Sequence, residues 1–175
     1  VGAAAELLDC SIARLWLLDE DGQRLALGAS AGPLAMLEGE RTMALGEGLV
    51  GLVAASGEAV TMPDVLRDPR VRNTVRLRTE GVASAASVPV RVGSRIIGAL
   101  VVASRQRHEY PPEELSLLQL LADQAAIAID NARLFFDEQT RRAYLNALLE
   151  INTKIGALAP TDTLLTSIAE EAMRL

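Results

Sequence analysis

From Pro111 to about Leu158 the chain reads as one uninterrupted helix, and this constrains everything before it. At about 1.5 Å of rise per residue such a helix is a rod of roughly 70 Å, longer than a small domain is wide. A compact domain has no use for a rod of that length by itself. A chain of modules does, because one helix can carry a mechanical change from one module to the next. The residues ahead of it are then expected to form the module that the rod serves.

Both ends of the rod are marked. Pro111-Pro112-Glu113-Glu114 opens it: proline is preorganised for the first turn, and carboxylates favour the positive end of the helix dipole. Leu117, Leu118, Leu121, Ala122, Ala125, Ala128, Ile129 and Ala132 supply a broad apolar face. Further on the stripe narrows to Tyr144, Leu148, Ile151, Ile155 and Leu158. Their alternating spacing of four and three is that of a short coiled-coil seam, so these residues are expected to join a homodimer. Ala159-Pro160 breaks the rod, since proline lacks the donor and clashes with the preceding turn. Thr161-Asp162 can cap a new helix carrying Leu164, Leu165 and Ile168, so residues 160–175 are expected to open a following module.

Ahead of the rod the periodicity changes. Residues 12–19 and 23–30 are apolar segments around Asp19-Glu20-Asp21-Gly22, a hairpin signal. Both faces of the first segment carry apolar groups, which predicts a strand covered on both sides, with helices or a ligand opposite Trp16. Residues 31–47 read as loop, and residues 46–58 as a short helix stopped by Gly57. A short strand over 59–62 ends at Pro63, and a second helix over about 70–80 is closed by Gly81. Residues 83–92 and 96–104 form another hairpin turned at Gly93-Ser94, with Pro89 marking an edge or a bulge. Adjacent hairpins with helices around them predict an antiparallel α+β sandwich, not a parallel doubly wound sheet.

Composition narrows the function classes. Half of the 175 residues are hydrophobic, enough for one globular domain with a real core. The net charge of −6 argues against nucleic acid as a partner. Cys10 and His108 are the lone cysteine and histidine, which excludes an internal disulfide and argues against a structural zinc site. The chain has no apolar run of transmembrane length and no signal-peptide start, so a cytoplasmic location is expected.

The segment Leu45-Gly46-Glu47-Gly48-Leu49-Val50-Gly51-Leu52-Val53, followed by Ser56-Gly57-Glu58 and Asp64, resembles the central motif of GAF domains. Gly81-Val82-Ala83-Ser84, Val88-Pro89-Val90 and Ile97-Gly98-Ala99-Leu100 are similar to the family's paired strands. The stretch from Tyr110 to Phe135 is similar to its closing helix. The resemblance implies a GAF-like, PAS-related fold: a central antiparallel sheet of five or six strands, helices on both faces and a long C-terminal helix. It also implies a division into a GAF domain over 1–136 with a truncated opening helix, a signalling helix over 137–159, and the first helix of another GAF-type module over 160–175. With its own opening helix truncated, the domain leaves a vacant face on which that tail is expected to dock, in cis or from a dimer mate.

The same resemblance places a small-molecule pocket under the loops and short helices. Trp16, Met62, Val71, Val75, Ala86 and Val88 would line it, or would fill a ligandless core instead. Asp64 is a candidate acceptor for a ligand, with a turn cap beside Pro63 as the alternative. Arg72 and Arg76 share a helix face and would clamp a phosphate or carboxylate if they point inward. With Arg67, Arg70 and Arg78 they otherwise form a solvated face.

Gly46-Glu47-Gly48-Leu49-Val50-Gly51 also matches G-x-G-x-x-G, but the parallel strands of a dinucleotide site are missing around it. Haem bound through His108, a bilin on Cys10 and a cyclic nucleotide are each disfavoured. His108 lies in a polar loop, Cys10 precedes the first strand, and the family's Asn-Lys-Phe-Asp-Glu pattern is absent.

On the resemblance, the chain is a non-catalytic sensory module of a bacterial histidine kinase, diguanylate cyclase or phosphatase. The alternative is a ligand-free dimerisation spacer. One branch of the family reduces free methionine sulfoxide with cysteines, and Cys10 alone cannot provide both a nucleophilic and a resolving thiol.

Overall fold

The hairpin signals at the two ends of the sheet-forming region become the centre of one antiparallel sheet in the computed structural model. The structure describes residues 1–33, 41–71 and 74–158, with the side chains of 74–76 and 154–158 outside the description. In chain order the elements are α1 (Gly2–Leu7), β1 (Ile12–Leu18), β2 (Arg24–Ala31), β3 (Thr42–Ala44) and α2 (Gly48–Ser56). They continue with β4 (Val60–Met62), α3 (Thr74–Glu80), β5 (Ser84–Val92), β6 (Arg95–Ser104) and α4 (Pro112–Leu158). The six strands are ordered β3-β2-β1-β6-β5-β4, every pair antiparallel.

Local chemistry explains the turns. The Asp19 side chain accepts hydrogen bonds from the backbone of Gln23 and Arg24, which closes the first hairpin. Pro89 sits on β5 beyond the last residue paired with β4, so its missing N–H costs the sheet no bond on that side. One strand departs from the reading of the sequence. Residues 31–47 were expected as loop, but Thr42–Ala44 pairs with Arg24–Ala26 as edge strand β3. Three residues are too few to show alternation.

Alternation assigns the two faces. On β1, Ala13, Leu15 and Leu17 face one way, against Ala4 and Ala5 of α1 and Leu118, Ala122 and Ala126 of α4. Ile12 and Trp16 face the other way and belong to two clusters beneath α2, α3 and the segment joining β4 to α3. A bulge at Gly28 reverses the parity of β2. Leu25 and Leu27 therefore pack with Trp16, while Ala29 and Ala31 join the α4 side.

The chain divides into two units, Val1–Asp130 and Asn131–Leu175. In the first, α4 buries a narrower stripe than its sequence offers: Leu118, Ala122 and Ala126 are buried, whereas Ala128 is exposed. In the second, every described side chain over 131–153 is exposed, Tyr144, Leu148 and Ile151 included. Ile155 and Leu158 lie on the helix but their side chains are outside the described residues, as is the whole of 160–175. No described helix is long and apolar enough to cross a membrane.

Candidate functional site

The face of the sheet opposite α4 is not filled. A cavity of about 210 Å³ lies between it and the elements that cover it. Its floor is Ile12, Arg14 and Trp16 from β1, with Ala85 from β5 and Val101 and Ala103 from β6. Its roof comes from the start of α2 (Gly48, Leu49, Val50), from Met62, Val65 and Val71, and from Leu77 and Glu80 of α3. Small side chains at 85 and 103 leave the space that larger residues would occupy. The lining is mostly apolar, with Arg14 and Glu80 half-buried and Glu47 at the rim. Such a mixture, an apolar concavity with few polar groups, is what a small-molecule site requires.

Glycines let α2 close over this space. Gly46 and Gly48 have left-handed backbones, and the Gly46 N–H donates to the Gly51 carbonyl at 2.9 Å. A Cβ on Gly51 would lie 2.7 Å from the Ala44 carbonyl oxygen, so only glycine lets the helix sit against β3. The motif joins an antiparallel edge strand to a short helix, which accounts for its glycines without a dinucleotide.

Trp16, Met62 and Val71 are brought together in the cavity wall. Ala86 and Val88 are not, and the expectation for them is corrected. Ala86 pairs with Val102 and Val88 with Leu100, all buried on the α4 side. Neighbouring Ala85 takes the place at the floor. Arg72 lies outside the described residues, as do the side chains of Val75 and Arg76.

Asp64 holds its segment to the sheet's end and is not in the cavity wall: its carboxylate is 2.6 Å from Arg107 and 3.6 Å from Arg67. Arg70 forks onto Asp68, with its Nε 2.8 Å from Oδ1, and donates to the Thr61 carbonyl at 3.1 Å. That guanidinium lowers the Asp68 pKa, chiefly by hydrogen bonding. Arg78 is exposed.

His108 and Cys10 also lie away from the cavity. His108 Nε2 is 2.6 Å from Glu114 Oε2, and its ring meets Tyr110 edge-on at 4.7 Å. Cys10 is buried among the α1 and α4 residues, where burial raises its thiol pKa. Tyr110 is buried too; its hydroxyl lies 3.4 Å from Ser84 Oγ, and burial again raises the pKa.

Sequence reasoning missed Arg14 and Glu80. Arg14 had a signal, since it shares the i, i+2, i+4 face of β1 with Ile12 and Trp16. Glu80 had none, because only the fold of α3 brings it there. The Trp16 ring carries a further feature: its indole N–H is buried and meets no acceptor among the described residues. Burying such a donor unpaired costs about 1–3 kcal/mol.

Known proteins share this architecture. A dual 3′,5′-cyclic-AMP and -GMP phosphodiesterase 11A from Takifugu rubripes is 29% identical over 121 residues, which is 67% of this chain and 13% of that protein. The chain thus spans a small fraction of the length of that curated relative. The GAF domain of an Acinetobacter phosphoenolpyruvate-protein phosphotransferase is 28% identical with a TM-score of 0.63, over 76% of this chain and 78% of the other. Residues 122 to 287 of a methyl-accepting chemotaxis protein share the fold at 19% identity and a TM-score of 0.63, over 76% and 85% of the two chains. The family model for the GAF domain matches residues 1–130. With the six-stranded sheet, the covering helices and the long C-terminal helix in place, the chain belongs to the GAF domain family.

Proposed function

We propose that the chain is a non-catalytic sensory module of a bacterial signal-transduction protein, binding a small molecule in the cavity beside Trp16 and passing its state to α4. GAF domains occur in sensory and signalling proteins, the chemotaxis protein above among them. One observation carries the reading: the same central strands floor the cavity on one face and seat α4 on the other. A ligand that fits one spacing of these elements better than another would shift the helix by its differential affinity, which is all that such a switch requires.

The output in this reading is a homodimer through Tyr144, Leu148, Ile151, Ile155 and Leu158. Support comes from the exposure of Tyr144 (65%) and Ile151 (53%), large apolar groups that a seam would cover. Residues 137–159 then serve as the signalling helix, and residues 160–175 as the opening of a following module in the same protein. Native mass spectrometry of protein taken directly from its cells tests both parts. A dimer with a stoichiometric added mass is the expected result. A dimer with no added mass at any protein concentration favours a spacer domain, and a monomer removes the seam.

A further inference from the structure

The chemistry of the cavity wall goes further, and it rests on the cavity being a ligand site. Among the described residues that line it, none is a serine, threonine, asparagine, glutamine, histidine or tyrosine. The Trp16 indole nitrogen is buried and does not open onto it. The wall therefore offers apolar surface, main chain and three charged side chains. A sugar, with a hydroxyl on nearly every carbon, would leave most of its polar groups unpaired there. The three charges differ in place. Glu47 is exposed at the rim, where its Oε2 accepts the Ala44 N–H at 3.2 Å. Glu80 ends α3 in the roof. Arg14 stands on the floor, with Ile12 and Trp16 beside it on β1 and Val101 opposite it on β6. It belongs to a central strand yet is only half-buried, because the hollow lies on its side of the sheet. Arg14 already has an interaction partner. A guanidinium carries five N–H donors, enough to keep that partner and to take a carboxylate as well. Apolar surroundings strengthen such a pair relative to water.

We propose that the cavity takes a compact apolar molecule with a single carboxylate, which pairs with Arg14. The apolar body lies over Ala103 and Ala85, small residues that pair with each other across the floor. A carboxylate at the roof would meet Glu80, so the charged head turns to β1. Size limits the class as much as charge does. An apolar cavity of about 150 Å³ holds benzene. The space here, about 210 Å³, takes one ring or a branched chain plus the carboxyl group.

Benzoate, benzamide and benzamidine have nearly the same shape but carry a negative charge, none and a positive charge at neutral pH. Each is titrated into the full chain labelled with ¹⁵N. Trp16 is the only tryptophan and its ring lines the wall, so the shift of its single indole resonance reports occupancy of the cavity. Benzoate is expected to bind tightest, ahead of benzamide by about tenfold or more, with benzamidine weakest. The chain's net charge of −6 favours the cation and cannot produce that order. Arg14→Met, which keeps an apolar stem, is expected to bring benzoate down to benzamide and leave benzamide nearly unchanged. Arg14→Lys keeps the charge without the fork and is expected to retain part of the lead. If benzamidine binds tightest, or if the lead of benzoate survives in Arg14→Met, the carboxylate assignment fails while the cavity remains a ligand site. If none of the three binds the wild-type chain, the ligand-site reading fails with it. Should Arg14→Met not fold, Arg14→Lys decides, and an unchanged lead there overturns the assignment.

Discussion

Gly98 is held so closely against Trp16 that a Cβ at position 98 would overlap the Trp16 carbonyl oxygen. The same atom would also lie 3.1 Å from Leu17 Cα, the residue opposite Gly98 in the β1–β6 pairing. Both obstacles are main chain, and neither can rotate away. Gly98→Ala is expected to lower stability by about 1–3 kcal/mol or more, read from the urea midpoint. Gly2→Ala, where a methyl meets nothing within 4 Å, is expected to stay within about 0.5 kcal/mol of wild type.

The inner face of α4 is set by Leu118, 1% exposed, and its outer face by Leu120, 56% exposed. Leu118→Ala is expected to cost about 2–5 kcal/mol, from lost burial plus the cavity left behind. Leu120→Ala should change stability by about 0.5 kcal/mol or less. Equal effects in urea denaturation would show that the helix is rotated from this placement.

Asp68 carries a pH signature. Arg70 lowers its pKa in the folded chain from the ordinary 3.8. A lowered carboxylate pKa stabilises the fold fully above the unfolded value, and this stabilisation is lost as pH falls through the folded one. Asp68→Asn keeps an oxygen for the Arg70 backbone N–H but loses the charge. The variant is expected to be less stable than wild type at pH 7 by up to about 1 kcal/mol, since the pair is partly exposed. That gap should close on acidification below the ordinary carboxylate range, as followed by urea denaturation across pH.

Cys10 should behave as an inert thiol until the chain opens. It is 6% exposed, and burial raises its pKa above the ordinary 9.0. Thiolate is the reactive form, so labelling by a disulfide reagent is expected to proceed at the rate of unfolding. Because the folded pKa is the raised one, the stabilisation is complete below the unfolded value and declines as pH climbs through the folded value. Rapid labelling in native buffer at neutral pH would contradict this burial.

Much of the fold was legible because local chemistry and periodicity agreed. Asp19 and Gly22 marked the first hairpin, Gly57 and Gly81 closed α2 and α3, and the apolar stripe of α4 was visible around Leu118. The failures share a physical origin. Ala86 and Val88 were assigned to the wrong face because residues 84–90 are buried without a break, so alternation is invisible along that strand. Only the pairing of Ala86 with Val102 and Val88 with Leu100 fixes the parity. Strand β3 was missed because its hydrogen bonds to β2, and not its own residues, make it a strand. In the candidate site, Trp16, Met62 and Val71 were readable as apolar residues, whereas Glu80 depends on how α3 folds back.

Trp16 and its sequence neighbour Leu15 serve opposite sides of β1, as Val101 and Leu100 do on β6. Consecutive Cα atoms are about 3.8 Å apart. Nothing but main chain therefore separates the hollow from the packed residues that seat α4. Protein interiors are dense and barely compressible, so strain applied to such a layer is transmitted and not absorbed. A partition one peptide thick has two faces but a single displacement.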